Sequence, residues 1–133
     1  MLNSAREASM AWELYLTNEV DAWLDGLAAT DVDSYRQVVA GIDVLAEVGP
    51  SLGRPLVDRV KGSTLHGMKE LRPGSAGTTE IRVLFVFDPW RSAILLVGGD
   101  KSGNWTRWYR TAIPKAERLY EEYLAERATD EEA

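Results

Sequence analysis

Positively charged side chains flank the most regular part of this sequence, a pair of apolar segments in its second half. Arg82 lies near the start of a strictly alternating segment, and Lys101 follows Gly98 and Gly99 at the end of the next segment. Arginine suits a phosphate because its planar guanidinium can hold two oxygens at once. The two glycines would let a ligand approach the backbone before Lys101 closely. This pattern predicts a sheet that presents cations from neighbouring strands to a phosphate.

Acid–base groups that could work beside such a phosphate are few. Glu70 and Arg72 lie two residues apart on a predicted strand, so their side chains project from the same face. An adjacent arginine keeps the Glu70 carboxylate ionised, which suits a general base or an orienting group. Tyr109 is a candidate proton donor or stacking ring. Asp58 and His66 are weaker options, and His66 is expected in an exposed loop.

Structural roles are the alternative for the same residues. Arg82 would then pair with Glu80 or Glu70 across the sheet, and Lys101 would simply be solvated. Glu70 and Arg72 would form an ion pair, which contributes only ~0–1 kcal/mol when it is exposed. The sequence leaves both explanations open.

Length and composition limit the kinds of protein this chain can be. Its 133 residues predict a single domain over 1–133, with flexible ends at 1–10 and 126–133. The lack of cysteine removes disulfides and thiolate chemistry, and a single histidine removes multi-histidine metal centres. We therefore expect no metal and no cofactor. No apolar run reaches a membrane span and no signal-peptide pattern begins the chain, so a cytoplasmic protein without a membrane partner is expected.

Charge is distributed unevenly along the chain, whose net charge is −6. Residues 54–110 have 10 basic and 5 acidic groups, a net charge of +5, whereas residues 1–53 carry −7 and residues 111–133 carry −4. The positive segment is the one predicted to form the sheet. A polyanion responds to the local field more than to net charge, so the sheet is the expected binding surface. The alternative is that the acidic helices are merely solvated.

Hydrophobic periodicity predicts a mixed α/β domain. After a short strand at 12–16, a first helix follows with Asn18 as its candidate N-cap. A second helix runs from about 33 to 47, and Gly49-Pro50 is expected to end it. A third helix is expected to carry Pro114 in its first turn and to bury an apolar stripe that includes Ala116 and Leu119. Two helices joined by a short loop predict an α-helical hairpin.

A short strand or turn is expected around residues 57–60 and a strand at 68–72. A β-hairpin that turns at Asp88-Pro89 follows, and its first strand is expected to have one apolar face, formed by Ile81, Val83, Phe85 and Phe87.

A series of short segments, taken in order, resembles a known family. The segments are Leu52-Gly53-Arg54-Pro55, Lys61-Gly62-Ser63, Met68-Lys69-Glu70-Leu71-Arg72, Arg82-Val83-Leu84-Phe85, Gly98-Gly99-Asp100-Lys101-Ser102-Gly103, Trp108-Tyr109 and Ile113-Pro114-Lys115-Ala116. They span roughly residues 11 to 125 and resemble the RelE/HigB-type toxins of bacterial toxin–antitoxin systems, in particular the phage-derived HigB-like branch. The resemblance implies an α+β fold, a RelE-like small mixed β-sheet with an N-terminal α-helical hairpin and a C-terminal helix.

The resemblance also implies functional residues. Arg82 matches the family's phosphate-contacting arginine, Lys101 matches the basic residue after the strand end, and Tyr109 or Trp108 matches the C-terminal aromatic position. Some relatives have paired lysines where this chain has Met68 and Glu70, a departure that affects the expected catalytic strength. The candidate catalytic residues are Arg82, Lys101, Glu70, Arg72 and Tyr109, and the candidate RNA-binding residues are Arg54, Lys61, Lys69, Trp105, Arg107 and Trp108.

The implied activity is metal-independent cleavage of mRNA, bound to the ribosome, by the toxin of a type II toxin–antitoxin system. The implied partners are a helix-turn-helix antitoxin, mRNA and the ribosome. The alternative is a catalytically weak or inactive module of the same fold that acts through its antitoxin complex. The acidic N-terminal helices are expected to bind the antitoxin, since their charge repels RNA. Trp90 and Trp105, if exposed, are expected to contact antitoxin or RNA.

Overall fold

The computed structural model describes residues 12–74 and 79–132, which form one five-stranded sheet with helices on both faces. The predicted flexible segment 1–10 lies outside the described residues. The elements in chain order are β1 (Glu13–Leu16), α1 (Asn18–Thr30), α2 (Val32–Val48), a 3₁₀ turn (Gly49–Ser51), β2 (Val57–Arg59), β3 (Lys69–Leu71), β4 (Ile81–Phe87), β5 (Ser92–Asp100) and α3 (Trp105–Glu132).

The sheet has the strand order β1-β5-β4-β3-β2. β1 runs parallel to β5, and the other neighbouring strands are antiparallel. The helical hairpin of α1 and α2 covers one face, and α3 covers the other. The predicted α+β fold, with its N-terminal hairpin and C-terminal helix, is therefore confirmed.

The core on the hairpin side follows from the alternation of β4. Ile81, Val83 and Phe85 are all buried there, and they pack with Val38 and Ile42 of α2. Each is at most 1% exposed, so each side chain contributes roughly 1.5–3 kcal/mol through burial. The predicted apolar face of β4 is confirmed.

The core on the α3 side is formed by the residues that alternate with these along the same strands. Leu84 of β4 and Leu96 of β5 pack against Ala116 and Leu119 of α3. A bulge between β4 and β5 places the consecutive residues Leu96 and Val97 on this side. The predicted apolar stripe of the last helix is confirmed.

The start of that helix was predicted wrongly. Pro114 is not in its first turn, because α3 begins at Trp105, nine residues earlier. The residues before the proline, including Trp108, Ala112 and Ile113, pack on the sheet. This packing outweighs the one backbone hydrogen bond that an internal proline removes. At the other end α3 continues to Glu132, through the segment predicted to be a flexible tail.

The N-cap of α1 is Thr17 rather than the predicted Asn18. The Thr17 side-chain oxygen accepts a hydrogen bond from the Val20 amide at 3.1 Å and donates one to the Leu96 carbonyl at 2.9 Å. A threonine can make both bonds at once, and it therefore joins the helix start to β5. The end of α2 at Gly49, where φ is +72°, is as predicted.

His66 is exposed, as predicted. Within residues 12–74 and 79–132, no helix is long and apolar enough to cross a membrane.

Candidate active site

The sheet brings an acidic and a basic side chain together beneath α3. Glu70 lies opposite Leu84 in the β3–β4 ladder, so Arg82, two residues earlier on β4, shares its face. Both residues are only 8% exposed. Arg82 Nε lies 3.9 Å from Glu70 Oε1. The alternative of a cross-strand ion pair is therefore partly correct, because Glu70 does face Arg82.

Tyr109, in the second turn of α3, completes this cluster from the helix side. Its hydroxyl donates a short hydrogen bond to Glu70 Oε1. Burial, followed by this bond to Glu70, raises the pKa of Tyr109 well above its usual value. The phenol therefore stays protonated across the physiological range and acts as a fixed donor.

Arg82 has bonding capacity that its protein neighbours do not use. Its Nη1 donates to the Ile81 carbonyl at 2.8 Å. Its Nε is buried and has no hydrogen-bond partner among the described residues. Buried donors are nearly always bonded, so this guanidinium keeps one N–H group that the described residues leave without a hydrogen bond.

Lys101 adds a second cation at the end of β5. Its Nζ lies 5.4 Å from the ring centre of Tyr109 and 5.6 Å from that of Trp105. Burial, and then the nearby charge of Arg82, lower the pKa of Lys101. Lys101 is thus held between two rings rather than fully solvated.

The remaining predicted catalytic residue, Arg72, lies at the rim of the site. Its Nη1 is 3.4 Å from Asp58 Oδ2, and Arg54 Nη1 approaches the same oxygen at 3.8 Å. Arg72 therefore pairs with Asp58, whereas the ion pair of Glu70 is with Arg82. Asp58 reduces the free charge that the two rim arginines offer.

The predicted RNA-binding residues do not all lie on one side of the sheet. Arg54, Lys61, Trp105 and Arg107 are exposed. Lys69 lies on the hairpin side, where its Nζ is 5.4 Å from the Phe87 ring centre and 3.5 Å from the Pro50 carbonyl oxygen. The period of the strand explains this, because Lys69 is adjacent to Glu70 and must point to the opposite face.

The glycines before Lys101 were assigned the wrong role. A Cβ on Gly98 would lie less than 3.0 Å from the ring of Trp23, and one on Gly99 less than 3.0 Å from the ring of Trp108. Each glycine makes room for a tryptophan of a covering helix rather than for a substrate. Trp108, predicted to bind RNA, is half-buried and packs on the core beneath α3.

Sequence reasoning missed Glu117, which ties α3 to the loop after β2. Its Oε2 accepts hydrogen bonds from Ser63 Oγ at 2.8 Å, the Thr64 amide at 2.6 Å and Thr64 Oγ1 at 2.9 Å. Burial opposes ionisation, but these bonds prevail and lower the pKa of Glu117. Partners more than 50 residues apart in sequence leave no local signal that could have revealed this contact.

Three or more Asp, Glu or His side chains do not gather into a metal-binding group anywhere in the described ranges 12–74 and 79–132.

Comparison with known families matches the region that contains this cluster. A family model described as "Phage derived protein Gp49-like (DUF891)" matches residues 23–121, which is most of the chain. The chain belongs to this Gp49-like family. The matched region includes Glu70, Arg82, Lys101 and Tyr109.

Two similar relatives come from Mycobacterium tuberculosis (strain ATCC 25618 / H37Rv). "Putative toxin HigB2" is 52% identical over 107 residues, which cover 80% of this chain and 52% of that protein. "Putative toxin HigB3" is 53% identical over 110 residues, which cover 83% of this chain and 91% of that protein. The chain thus spans about half the length of the first relative and nearly all of the second. The resemblance to the phage-derived HigB-like branch is confirmed.

Proposed function

We propose that this Gp49-like protein is the toxin of a type II toxin–antitoxin pair and cleaves mRNA bound to the ribosome in the cytoplasm. The names of the two HigB relatives support the toxin assignment. One observation supports cleavage above all: a carboxylate, a protonated phenol and two cations form one cluster beneath α3. Attack by a ribose 2′-hydroxyl on its own phosphodiester needs groups of these kinds.

Glu70 is the proposed general base. Its carboxylate takes the proton of the 2′-hydroxyl as the 2′-oxygen attacks phosphorus. The P–O5′ bond then breaks, leaving a 2′,3′-cyclic phosphate and a free 5′-hydroxyl. Tyr109 holds Glu70 Oε1 by its hydrogen bond and leaves Oε2 to take the proton. Tyr109 is thus the group that orients the base.

Arg82 and Lys101 are the proposed electrostatic groups. The Nε of Arg82, which faces Glu70 but has no hydrogen-bond partner among the described residues, can donate to a phosphate oxygen, and the charge that develops on the phosphorane strengthens that bond. Lys101 is the better acid for the departing 5′-oxygen, because its pKa is lowered whereas that of Tyr109 is raised. A catalytic acid works best when its pKa approaches the ambient pH.

The cations at the rim of the cluster are the proposed surface along which RNA binds. Arg54, Lys61, Arg72 and Arg107 supply positive charge around the cluster, and Trp105, 58% exposed, offers a stacking surface. Binding through phosphate contacts releases counterions, so the affinity for RNA is expected to fall steeply with salt. The proposed protein partner is a helix-turn-helix antitoxin that blocks access to the ribosome.

One observation favours the second candidate, a binding module with little catalysis. The Glu70 carboxylate already accepts the Tyr109 hydroxyl and faces Arg82, as the oxygens of a bound phosphate would. A site whose cation faces an internal carboxylate binds phosphate more weakly, because the ligand must compete with that carboxylate.

The test is induced expression with and without a candidate antitoxin, a small helix-turn-helix gene to be sought next to the gene of this chain, followed by mapping of transcript 5′ ends. Wild-type protein should create new ends and arrest growth, and co-expression of the neighbour should suppress both. Arg82→Ala should abolish the new ends. Arg118→Ala, which removes an exposed arginine of α3 paired with Glu122, is the matched control and should behave as wild type.

Glu70→Gln separates the two candidates, because glutamine keeps the shape of the side chain but cannot act as a base. Loss of the new ends in Glu70→Gln supports cleavage. Growth arrest by wild type without any new ends would instead favour the binding module and overturn the nuclease.

A further inference from the structure

The backbone of Lys101 is held on both sides by hydrogen bonds. The Lys101 amide donates to the Glu80 carbonyl at 3.0 Å, and the Asn104 amide donates to the Lys101 carbonyl at 3.2 Å. The second bond closes a β-turn over 101–104, in which Gly103 has a φ of +75°, a backbone conformation that favours glycine. The position of Lys101 is therefore set by this turn and by the segment before β4.

Asp100 joins these two segments through one carboxylate oxygen. Its Oδ1 accepts a hydrogen bond from the Ser102 amide at 2.9 Å and another from the Glu80 amide at 3.0 Å. Ser102 lies in the turn, and Glu80 comes directly before β4, the strand that contains Arg82. The carboxylate thus fastens the turn around Lys101 to the start of the strand that carries the other cation of the site.

The Asp100 carboxylate is suited to this structural contact rather than to proton transfer. Burial opposes its ionisation, but the hydrogen bonds from Glu80 and Ser102 prevail and lower the pKa of Asp100. It is therefore an anion at neutral pH, and hydrogen bonds to an anion are stronger than those to a neutral acceptor. Asp100 is exposed, so these bonds are not part of the apolar core.

The same turn determines how Lys101 meets the helix. α3 begins at Trp105, directly after the turn, and Lys101 Nζ lies 5.6 Å from the Trp105 ring centre and 5.4 Å from that of Tyr109. A lysine side chain is flexible, so a defined position of its ammonium requires a fixed backbone. A displacement of about 1 Å at a catalytic group can lower a rate roughly 10²-fold.

We propose that Asp100 is a positioning residue, which holds Lys101 between Tyr109 and Trp105 by bonding to the Glu80 and Ser102 amides. Asp100 does not touch the RNA and acts only through Lys101. The effect on cleavage rests on the proposed function, since it takes Lys101 as the acid for the departing 5′-oxygen. The position of Lys101 itself can be measured without RNA.

The first test measures that position by nuclear magnetic resonance of protein labelled with carbon-13 at the lysine Cε atoms. The chain has four lysines, so the signals are few: Lys61, Lys69, Lys101 and Lys115. In wild type the Hε protons of Lys101 should be shifted upfield, because this end of the side chain lies over two aromatic rings. Asp100→Ala should move the signal to that of an exposed lysine such as Lys61. Asp100→Asn keeps an oxygen that can accept from both amides and should retain the upfield shift.

Two controls separate the turn from the rest of the domain. Lys69 Nζ lies 5.4 Å from the Phe87 ring centre on the hairpin side, so its own signal should stay unchanged in Asp100→Ala. A change in both lysine signals would show that Asp100 stabilises the whole domain, which overturns a positioning role. Glu80→Ala removes an exposed carboxylate near Lys101 but keeps the amide that donates to Asp100, and should leave the Lys101 signal as in wild type.

The second test is single-turnover cleavage of a ribosome-bound transcript with the protein in excess. Asp100→Ala should lower the rate constant roughly 10–10²-fold, because the ammonium of Lys101 is no longer held in place. Asp100→Asn should restore most of the wild-type rate. Loss of the upfield shift in Asp100→Ala without any loss of rate would overturn the inference, because cleavage would then not depend on where Lys101 lies.

The outcomes distinguish this inference from the proposed function. If wild type does not cleave RNA, the nuclease proposal is overturned, and the lysine signals still decide whether Asp100 fixes the position of Lys101. A Lys101 signal that is not shifted upfield in wild type, or one that keeps its shift in Asp100→Ala, overturns the positioning role and leaves the nuclease proposal standing.

Discussion

The two faces of the sheet bury different kinds of side chain. On the hairpin side the core consists of apolar side chains such as Val38, Ile42 and Phe85. On the α3 side the apolar core surrounds buried charged groups: Glu70 and Arg82 near the start of the helix and Asp88 further along it. Burying charge costs free energy unless it is compensated. The comparison indicates that the hairpin side provides stability, whereas the α3 side gives up some stability to hold the charged groups of the candidate site.

The largest expected effects come from substituting one residue on each side of the sheet and comparing stability with cleavage rate. Phe85→Ala on the hairpin side should lower the free energy of unfolding by ~3–5 kcal/mol, because it leaves a cavity, while the folded fraction keeps its cleavage rate. Arg82→Ala should lower the cleavage rate of the folded protein on the order of 10²–10³-fold, or ~3–4 kcal/mol. It should also cost stability, because the buried Glu70 loses its ion-pair partner. Chemical denaturation and single-turnover cleavage measure the two effects. An unchanged cleavage rate in the folded fraction of Arg82→Ala would show that the arginine is only structural and that the site is misplaced.

The consecutive glycines of β5 give a matched pair, one on each side of the sheet. Gly98→Ala collides with Trp23 of α1, and Gly99→Ala with Trp108 of α3. Each should cost about 1–3 kcal/mol of unfolding free energy through overpacking. Only Gly99→Ala should also weaken RNA cleavage, since Trp108 precedes Tyr109 on the same helix. Equal loss of cleavage in both variants, measured at matched folded fraction, would contradict the division between the two faces.

Alkaline pH should destabilise the packing of α3 on the sheet before it affects the hairpin side. Burial, and then the 2.5 Å hydrogen bond to Asp88, raise the pKa of Tyr123 to about 12. Its pKa in the unfolded chain is about 10. The folded state therefore holds this proton more tightly, so its stabilising effect is complete below pH ~10 and is lost as the pH rises towards ~12.

Thermal melting between those pH values tests this, with Tyr123→Phe as the control. The variant should lose about 1 kcal/mol at neutral pH, because Asp88 loses its donor, and should lose less stability than wild type between pH ~10 and ~12. A variant that melts in parallel with wild type over this range would show that Tyr123 is not the titrating group.

Charge reversal on the helical hairpin should have the smallest effect on the rate of RNA cleavage. Asp21 and Asp25 border a groove whose floor includes Leu24 and Ile42, on the side of the sheet away from Glu70 and Arg82. The exposed double variant Asp21→Lys with Asp25→Lys should change unfolding free energy by no more than about 0.5 kcal/mol per site. Cleavage should be unchanged, whereas antitoxin binding should weaken, mainly through a slower association rate.

The matched control for this charge reversal places the same change on the other face, as Glu121→Lys with Asp130→Lys, both exposed on α3. Binding of the co-purified antitoxin, measured by surface plasmon resonance, should be weaker only in the hairpin variant. Loss of cleavage with intact antitoxin binding in that variant would mean that the two surfaces are assigned the wrong way round.

The sequence alone determined the elements and the faces they bury. Alternation in β4 predicted that Ile81, Val83 and Phe85 share one face, and helical spacing predicted the stripe containing Ala116 and Leu119, because both periods are local properties of the backbone. The same periodicity, with the family resemblance, named four residues that the fold then brings together: Glu70, Arg82, Lys101 and Tyr109.

Only the tertiary structure decided which contacts those residues make. Whether Glu70 pairs with Arg72 or Arg82 depends on strand register and on the position of the covering helix, which no short window of sequence contains. Lys69 is different, because the alternation of β3 by itself places it on the face opposite Glu70. The roles of Gly99 and Glu117 depend on Trp108 and Thr64, which reach them only once α3 has folded back over the sheet. Local propensity had predicted that the helix begins near Pro114. Packing between distant segments instead stabilises the helix on both sides of this proline.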